Sequence, residues 1–318
     1  MKQATPPDPA GALEALALPP GPDGRSARKA LVICIDGVRF DSLTAASTPV
    51  LDELSAEGFL APTRIFGADI APTLSGPAIS SIATGVWPDK HGVPGNQMHG
   101  HALDRYPDFL TRLESGVPPL RTFAALDWAP LGLAVDGGPV FSDAIEAKIT
   151  LATEQTWAAY VRDDARLLDA AVRVLRDRNP DATFVYLGAT DVAAHDFGCL
   201  GAQYRQAIET ADRQVGELLA AVRERPARER EDWLVIVVTD HGHLDQGGHG
   251  WGSEVERTAW LLLAGRGVPR TAPAGVSNVD IAPTVLAHLG VAWDGEGPDG
   301  HALVAAGAQP PRRPRGDP

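Results

Sequence analysis

The amino-acid sequence predicts an α/β fold with a doubly wound, mostly parallel central sheet and helices on both faces. Short apolar runs rich in β-branched residues alternate with longer segments of helical periodicity. Apolar and polar residues do not alternate within these runs, and such continuous apolar runs are typical of parallel strands covered on both sides. Strands and helices in alternation favour one large α/β domain, and a chain of 318 residues is long enough to bury a substantial core.

Four apolar runs predict strands, at residues 29–35, 183–187, 233–238 and 259–263. The spacing of apolar residues predicts helices over residues 48–57, 76–84, 154–178, 203–225 and 279–289. Apolar runs with helices between them are the pattern of strand–helix–strand units, which give parallel strands.

The remaining segments have weaker patterns. Residues 1–28 are rich in Pro, Gly and Ala, and we expect a flexible arm there. Residues 305–318 form a Pro/Arg tail that we expect to be disordered, so a single α/β domain should span residues 29–304. Residues 92–152 contain few regular signals and are expected to include a small insertion, a cap region over the site.

The composition excludes several classes of protein. A formal net charge of −13 makes a nucleic-acid polymer an unsuitable partner. No apolar stretch is long enough to span a bilayer, and the N-terminal residues lack the pattern of a secretory signal. The two cysteines, Cys34 and Cys199, do not indicate a disulfide framework. We therefore expect a cytoplasmic protein without a membrane partner, whose oligomeric state the sequence does not predict.

Three carboxylates follow three of the predicted strands. Asp36 comes directly after the first strand, Asp191 shortly after the second, and Asp240 shortly after the third. The carboxyl ends of parallel strands meet at one edge of the sheet, which is where such sheets bind ligands. Each Asp alone could equally be a helix N-cap. Their common position favours a shared site.

Three histidines accompany these carboxylates: His195 four residues after Asp191, His241 beside Asp240, and His249 between two glycines. Carboxylate and imidazole groups suit zinc, manganese and similar divalent ions. Six such ligands exceed one closed tetrahedral site, so two divalent metal ions are predicted. The other histidines are interpreted as mostly solvated or outside the ligand sphere, namely His91, His99, His101, His243, His288 and His301.

Ser75 is the candidate nucleophile. Pro77 and the apolar spacing after it predict a helix that begins at Ser75 or Gly76. A hydroxyl at that position faces free backbone amides and the positive end of the helix, which favour a phosphate or an oxyanion. The alternative is that Ser75 only caps the helix. The nearby ligand candidates favour the nucleophile.

The order of these motifs resembles the alkaline phosphatase superfamily, and within it the nucleotide pyrophosphatase/phosphodiesterase branch, which also includes phosphonoacetate hydrolase. The resemblance runs from about residue 31 to residue 289. It rests on the Asp-Gly, Ser-Gly-Pro, Thr-Gly, Pro-Asp-Lys-His-Gly, Asp-x-x-x-His, Thr-Asp-His-Gly, Gly-His-Gly and Val-Asp-Ile-Ala-Pro-Thr motifs at residues 36, 75, 84, 88, 191, 239, 248 and 279.

This resemblance implies a role for each residue that matches a motif. One metal would be held by Asp36, Ser75, Asp240 and His241. The other would be held by Asp191, His195 and His249. Zinc is the metal expected, with manganese as the alternative. Asn96 would hydrogen-bond a phosphoryl oxygen together with the amide of Gly76, although Asn96 could instead be only a turn residue.

The implied activity is cleavage of phosphate diester or pyrophosphate bonds in a small phosphorylated substrate, through a covalent phosphoseryl intermediate. The sequence departs from the branch at Ser75, where most members have Thr, at Gly76, where an aromatic residue often stacks on a base, and at Ala78, where Asn is common. Nucleotide specificity is therefore not implied. Other aromatic residues could supply a stacking face, namely Trp128, Trp157, Tyr160 and Trp251.

Alternative hypotheses assign other functions to the same site. A phosphomonoesterase would need a further positive group for a dianion, and a phosphonate hydrolase of the phosphonoacetate type would need a basic pocket. A sulfatase is disfavoured because Ile79 occupies the position where that family has Arg. A phosphosugar mutase would require a large second domain. An inactive metal-binding protein would be expected to lack the nucleophile or a ligand.

Overall fold

The computed structural model describes residues 27–116 and 119–304. The predicted C-terminal tail lies outside these residues, as does nearly all of the predicted N-terminal arm. The first strand begins at Arg28, one residue earlier than predicted. Within the described residues, no helix has both the length and the apolar character needed to cross a membrane.

One sheet forms the centre of the protein. Its strands in chain order are β1 (Arg28–Ile35), β2 (Gly58–Arg64), β3 (Thr122–Leu126), β4 (Ala147–Thr150), β5 (Ala182–Leu187), β6 (Asp232–Val238) and β7 (Thr258–Gly265). Their order across the sheet is β2-β7-β6-β1-β5-β3-β4. Strand β7 runs antiparallel to both of its neighbours, whereas β6, β1, β5, β3 and β4 pair in parallel. The predicted mostly parallel sheet is confirmed.

Helices connect the strands. They are α1 (Phe40–Ala45), α2 (Pro49–Ala56), α3 (Ser75–Thr84), α4 (Pro88–His91), α5 (Phe109–Glu114), α6 (Ala129–Gly132), α7 (Trp157–Asp177), α8 (Ala189–Phe197), α9 (Ala202–Arg223), α10 (Glu254–Arg257) and α11 (Ile281–Leu289). Short 3₁₀ turns lie at Arg228–Arg230 and Asn278–Asp280. The five predicted helices correspond to α2, α3, α7, α9 and α11.

The sheet is covered on both faces because successive side chains of a strand point to opposite sides. In β1, Leu31 and Ile33 pack into the apolar core that α2, α7 and α9 cover. Val32 and Cys34 pack into the opposite core, beneath α3, α5 and α11. Every residue of β1 from Ala30 to Ile35 is buried, which explains why the strand reads as one apolar run.

Residues 92–152 differ from the expected insertion. Strands β3 and β4 lie in this segment and join the central sheet beside β5. The segment therefore extends the sheet, and only its parts around Asn96 and Trp128 border the candidate site described below.

Candidate active site

The three predicted carboxylates meet because the strands before them are neighbours. Strands β6, β1 and β5 are adjacent and parallel, so their carboxyl ends lie side by side. Asp36 follows β1 directly, and Asp240 follows β6 after Thr239. Asp191 lies in the first turn of α8, which starts just after β5. The fold thus gathers residues from distant parts of the sequence at one edge.

The first group of predicted ligands surrounds the Nε2 atom of His241. This atom lies 3.2 Å from Ser75 Oγ. It is 3.3 Å from Asp240 Oδ2 and 3.6 Å from Asp36 Oδ1. The other ring nitrogen of His241, Nδ1, lies 3.1 Å from the carbonyl oxygen of Gly242. If Nδ1 donates its proton there, Nε2 is left with a lone pair that can bind a metal.

The second group lies beside the first. His195 Nε2 is 3.6 Å from Asp191 Oδ2, and His249 Nε2 is 3.5 Å from Asp191 Oδ1. The two Nε2 atoms are 3.1 Å apart. His249 Nδ1 lies 2.7 Å from the carbonyl oxygen of Thr73, which orients the ring. The rings of His241 and His249 stack with their centroids 3.9 Å apart, so the two groups adjoin.

The structure therefore brings all six predicted metal ligands together with Ser75. Within this cluster, two groups of residues have donor atoms that all lie within 4.8 Å of one another. The first group is Asp191, His195, His243 and His249. The second group is Asp36, Asp191 and His241, so the two groups share Asp191.

His243 is a member of this cluster that the sequence does not single out. It is fully buried, and its Nε2 lies 2.8 Å from Asp191 Oδ1. His243 is not one of the solvated histidines, because its ring is buried against Asp191; it matches the other part of the interpretation, a histidine outside the predicted ligand set. Its position two residues after His241, in Asp240-His241-Gly242-His243, is the only signal in the sequence that points to it.

Buried carboxylate atoms in this cluster lack partners. Asp36 Oδ1 and Asp240 Oδ2 are both buried without a hydrogen bond. Burial and the nearby Asp240 raise the pKa of Asp36 well above its ordinary value, and burial raises the pKa of Asp240 to about 6. Uncompensated buried charges are costly, whereas bound cations would satisfy these oxygens. The donor set, carboxylates and imidazoles, therefore fits divalent metal ions.

Ser75 is the first residue of α3, as predicted, and it is buried. The residue before the helix is Leu74, and no side chain there makes a capping hydrogen bond. The Ser75 hydroxyl instead faces His241. The capping role considered for Ser75 does not describe this geometry, because the hydroxyl points to the ligand cluster.

Asn96 lies opposite the start of α3. Its Oδ1 accepts a hydrogen bond from the amide of Gly76, at 2.9 Å. That amide is therefore already used, and the Nδ2 group of Asn96 is the donor that remains for a substrate. A side chain at residue 76 would approach the carbonyl oxygen of Gly95 to 2.4 Å, so the close contact between these segments requires glycine. This requirement explains why the aromatic residue common in the branch is absent.

A cleft of about 320 Å³ opens over the cluster. Trp128, Gln155 and Tyr160 line it together with Ser75 and Asn96. Of the other stacking candidates, Trp157 packs against Phe197 with ring centroids 5.0 Å apart, and Trp251 is 70% exposed. Neither of these two lines the cleft. Of the four stacking candidates, Trp128 and Tyr160 are thus the two placed to contact a substrate.

The sequence and the fold both match known proteins. The family model described as type I phosphodiesterase / nucleotide pyrophosphatase matches residues 30–267. Ectonucleotide pyrophosphatase/phosphodiesterase family member 3 of Mus musculus is 23% identical over 252 residues, which are 72% of this chain and 26% of that protein. Family member 1 of Homo sapiens is 22% identical over 242 residues, 74% of this chain and 25% of that protein. The chain spans about a quarter of the length of these curated relatives.

Solved structures share the fold. The phosphonate monoester hydrolase of Agrobacterium radiobacter superposes with a TM-score of 0.62 at 19% identity, over 86% of this chain and 76% of that one. Human ectonucleotide pyrophosphatase/phosphodiesterase 5 superposes with a TM-score of 0.60 at 13% identity, over 86% and 97% of the two chains. The family model covers most of the chain, which confirms the resemblance. The chain belongs to the type I phosphodiesterase / nucleotide pyrophosphatase family, in the alkaline phosphatase superfamily.

Proposed function

We propose that the protein is a two-metal hydrolase that cleaves phosphate diester or pyrophosphate bonds through a covalent phosphoseryl intermediate. The observation that carries this proposal is the position of the Ser75 hydroxyl. It lies 3.2 Å from His241 Nε2, at the edge of a cluster in which Asp36 Oδ1 and Asp240 Oδ2 are buried without a hydrogen bond. A nucleophile placed beside an unneutralised ligand set is the arrangement expected of metal-assisted phosphoryl transfer.

Two groups of residues would hold the metals. Asp36, Ser75, Asp240 and His241 would bind one, and Asp191, His195 and His249 the other. Bound divalent cations lower the pKa of a coordinated hydroxyl and stabilise negative charge on phosphoryl oxygens. Nitrogen and oxygen donors of this kind favour zinc, and manganese is the alternative.

Ser75 would perform the chemical step. It loses its proton, Oγ forms a bond with phosphorus, and the bond from phosphorus to the leaving oxygen breaks. The leaving group keeps the electron pair of the broken bond: an alcohol from a diester takes up a proton, and a pyrophosphate releases a phosphate. Water then breaks the bond between phosphorus and Oγ, which returns Ser75 to its hydroxyl form. Asn96 Nδ2 is the protein donor available to an equatorial phosphoryl oxygen during both steps.

The charge of the cleft favours a diester. Among the described residues that line it, there is no Lys or Arg, and Asp196 adds a further acidic group. A phosphate monoester carries two negative charges, and the second of them would need such a cation. A phosphate diester carries only one negative charge. The same feature disfavours a phosphonate with a carboxylate, which would likewise carry an additional negative charge. Phosphate monoesters and such phosphonates are therefore the alternative substrates, and this cleft favours neither of them.

The test compares bis-p-nitrophenyl phosphate with p-nitrophenyl phosphate, using protein loaded with zinc or manganese. We expect a higher kcat/KM for the diester. Ser75→Ala should abolish turnover of both while metal content, measured by mass spectrometry, stays largely intact. Ser75→Thr keeps the hydroxyl and serves as the matched control. A preference for the monoester would overturn the diester assignment, and normal activity of Ser75→Ala would overturn the mechanism.

A further inference from the structure

The contact between His243 and Asp191 has no place in the predicted ligand set. Of the three imidazoles near this carboxylate, His243 approaches it most closely, at 2.8 Å from Oδ1. The corresponding distances are 3.6 Å for His195 to Oδ2 and 3.5 Å for His249 to Oδ1. We infer that His243 is a positioning residue that holds Asp191 Oδ1 by a hydrogen bond and leaves Oδ2 to bind the second metal.

The surroundings of the ring decide which nitrogen carries the proton. Nδ1 of His243 is buried and has no hydrogen-bond partner. A proton there would be a buried donor without an acceptor, which is costly. A proton on Nε2 instead reaches Asp191 Oδ1 in a charge-assisted hydrogen bond. The neutral tautomer with hydrogen on Nε2 is therefore favoured, and in that form Nε2 has no lone pair for a metal.

The backbone makes room for this pair. Gly37 has a φ of +66°, which favours glycine. A methyl group on Gly37 would also lie 2.6 Å from His243 Nε2 and 2.9 Å from Asp191 Oδ1. Tyr204 fixes the loop from the other side, because its hydroxyl donates to the Gly37 carbonyl at 2.6 Å. The space between β1 and α8 is thus shaped to let His243 and Asp191 meet.

Holding one oxygen of Asp191 has a chemical consequence. A carboxylate with Oδ1 engaged offers the metal a single oxygen, so it binds through one atom. With His195 and His249, the second metal would then have three protein ligands. Catalytic zinc sites keep a fourth position open in this way for water or substrate. If His243 were itself a ligand, the same metal would have four protein ligands, the number that closes a tetrahedral site.

The first experiment measures zinc affinity by competition with a fluorescent chelator in three proteins: wild type, His243→Gln and His243→Leu. Gln places an amide donor near the position of Nε2, whereas Leu removes the donor and keeps an apolar volume. We expect Leu to weaken one of the two metals about 10–100-fold, the range typical of lost hydrogen-bond partners of ligands. Gln should stay close to wild type. Equal affinities in all three proteins would overturn the inference.

The second experiment needs no variant. In ¹⁵N-labelled wild-type protein, the imidazole nitrogen shifts of His243 report its tautomer with and without zinc. We expect a protonated Nε2 and an unprotonated, metal-free Nδ1 in both states. A metal-induced shift of Nε2 would show that His243 is a ligand and overturn its positioning role. This inference rests on the proposed metal site, but the failures differ: a wild-type protein that binds no divalent metal contradicts the proposed function itself.

Discussion

Buried charged groups are paired at the amino ends of the central strands, whereas buried carboxylates at the carboxyl ends have oxygens without partners. At the amino end of β1, Lys29 is buried and its Nζ lies 2.7 Å from Asp181 Oδ1. The second oxygen of Asp181 accepts a hydrogen bond from the Arg121 amide at 2.9 Å. At the carboxyl end of the same strand, Asp36 is equally buried, but its Oδ1 has no partner.

The same contrast holds in β6. Near its amino end, Arg225 forms hydrogen bonds of 2.8 Å to both carboxylate oxygens of Glu231, and Trp233 Nε1 donates to Glu231 at 2.9 Å. Beyond its carboxyl end, Asp240 Oδ2 is buried without a hydrogen bond. Charges that are fully paired within the protein serve the fold, whereas a cluster of unpaired ones indicates a site that binds cations. Predictions at both ends test this distinction.

The largest effect is expected at the carboxyl end, for Asp240→Asn. The amide keeps an oxygen that can accept from the Gly37 and His241 amides, as Oδ1 does at 3.1 and 3.0 Å. It removes the charge that a metal needs. We expect kcat/KM for a diester to fall about 10⁴-fold, or about 5.5 kcal/mol. Because an unpaired buried charge is removed, the melting temperature of the metal-free protein should stay the same or rise. A clear drop would mean that Asp240 stabilises the fold.

The next largest effect is expected at the amino end of β1, for Lys29→Met. Lys29→Met leaves the Asp181 carboxylate buried without its cation, and we expect the free energy of unfolding to fall by about 3–5 kcal/mol. Urea denaturation of the metal-free protein measures it. Metal content and kcat/KM should match wild type at a temperature where both proteins are folded. A loss of metal binding in the folded variant would show that the two ends are not independent.

A smaller effect is expected for Asn96→Ala. Loss of one donor to the phosphoryl group should lower kcat by about 10²-fold, close to 3 kcal/mol, with little change in stability. Asn96→Asp is the informative control, since it can still accept from the Gly76 amide but cannot donate to substrate. Equal losses in the two variants support the donor role. Recovery of activity in Asn96→Asp would assign Asn96 to the support of α3 instead.

The sequence predicted the central strands because burial on both faces leaves a continuous apolar run. Strand β2 was not predicted because it has no such continuous apolar run. It lies at the edge of the sheet, its residues alternate in exposure towards its end, and it contains Pro62. Strands β3 and β4 are short, and alanine, which is depleted in strands, makes up part of both. The direction of β7 was also not predictable, because an apolar run carries no information about its neighbours' direction.

The site was predictable to the extent that it depends on the ends of parallel strands. Asp36, Asp191 and Asp240 meet for that reason alone. The contact of His243 with Asp191 depends instead on the backbone of Gly37, and the contact of Asn96 with Gly76 depends on two loops packed closely together. Such contacts arise from three-dimensional packing and leave no periodic pattern in the sequence.

The central position of β1 also bears on how the protein folds. Its contacts reach far along the chain: Lys29 bonds a residue 152 positions away, and the Gly37 amide bonds Asp240 across 203 positions. Long-range closures of this kind form slowly because the chain entropy is lost before the contacts are gained. The ligand cluster is incomplete until β6 has docked beside β1. Recovery of metal affinity during refolding should therefore be a late event, and zinc uptake would report the arrival of the last central strand.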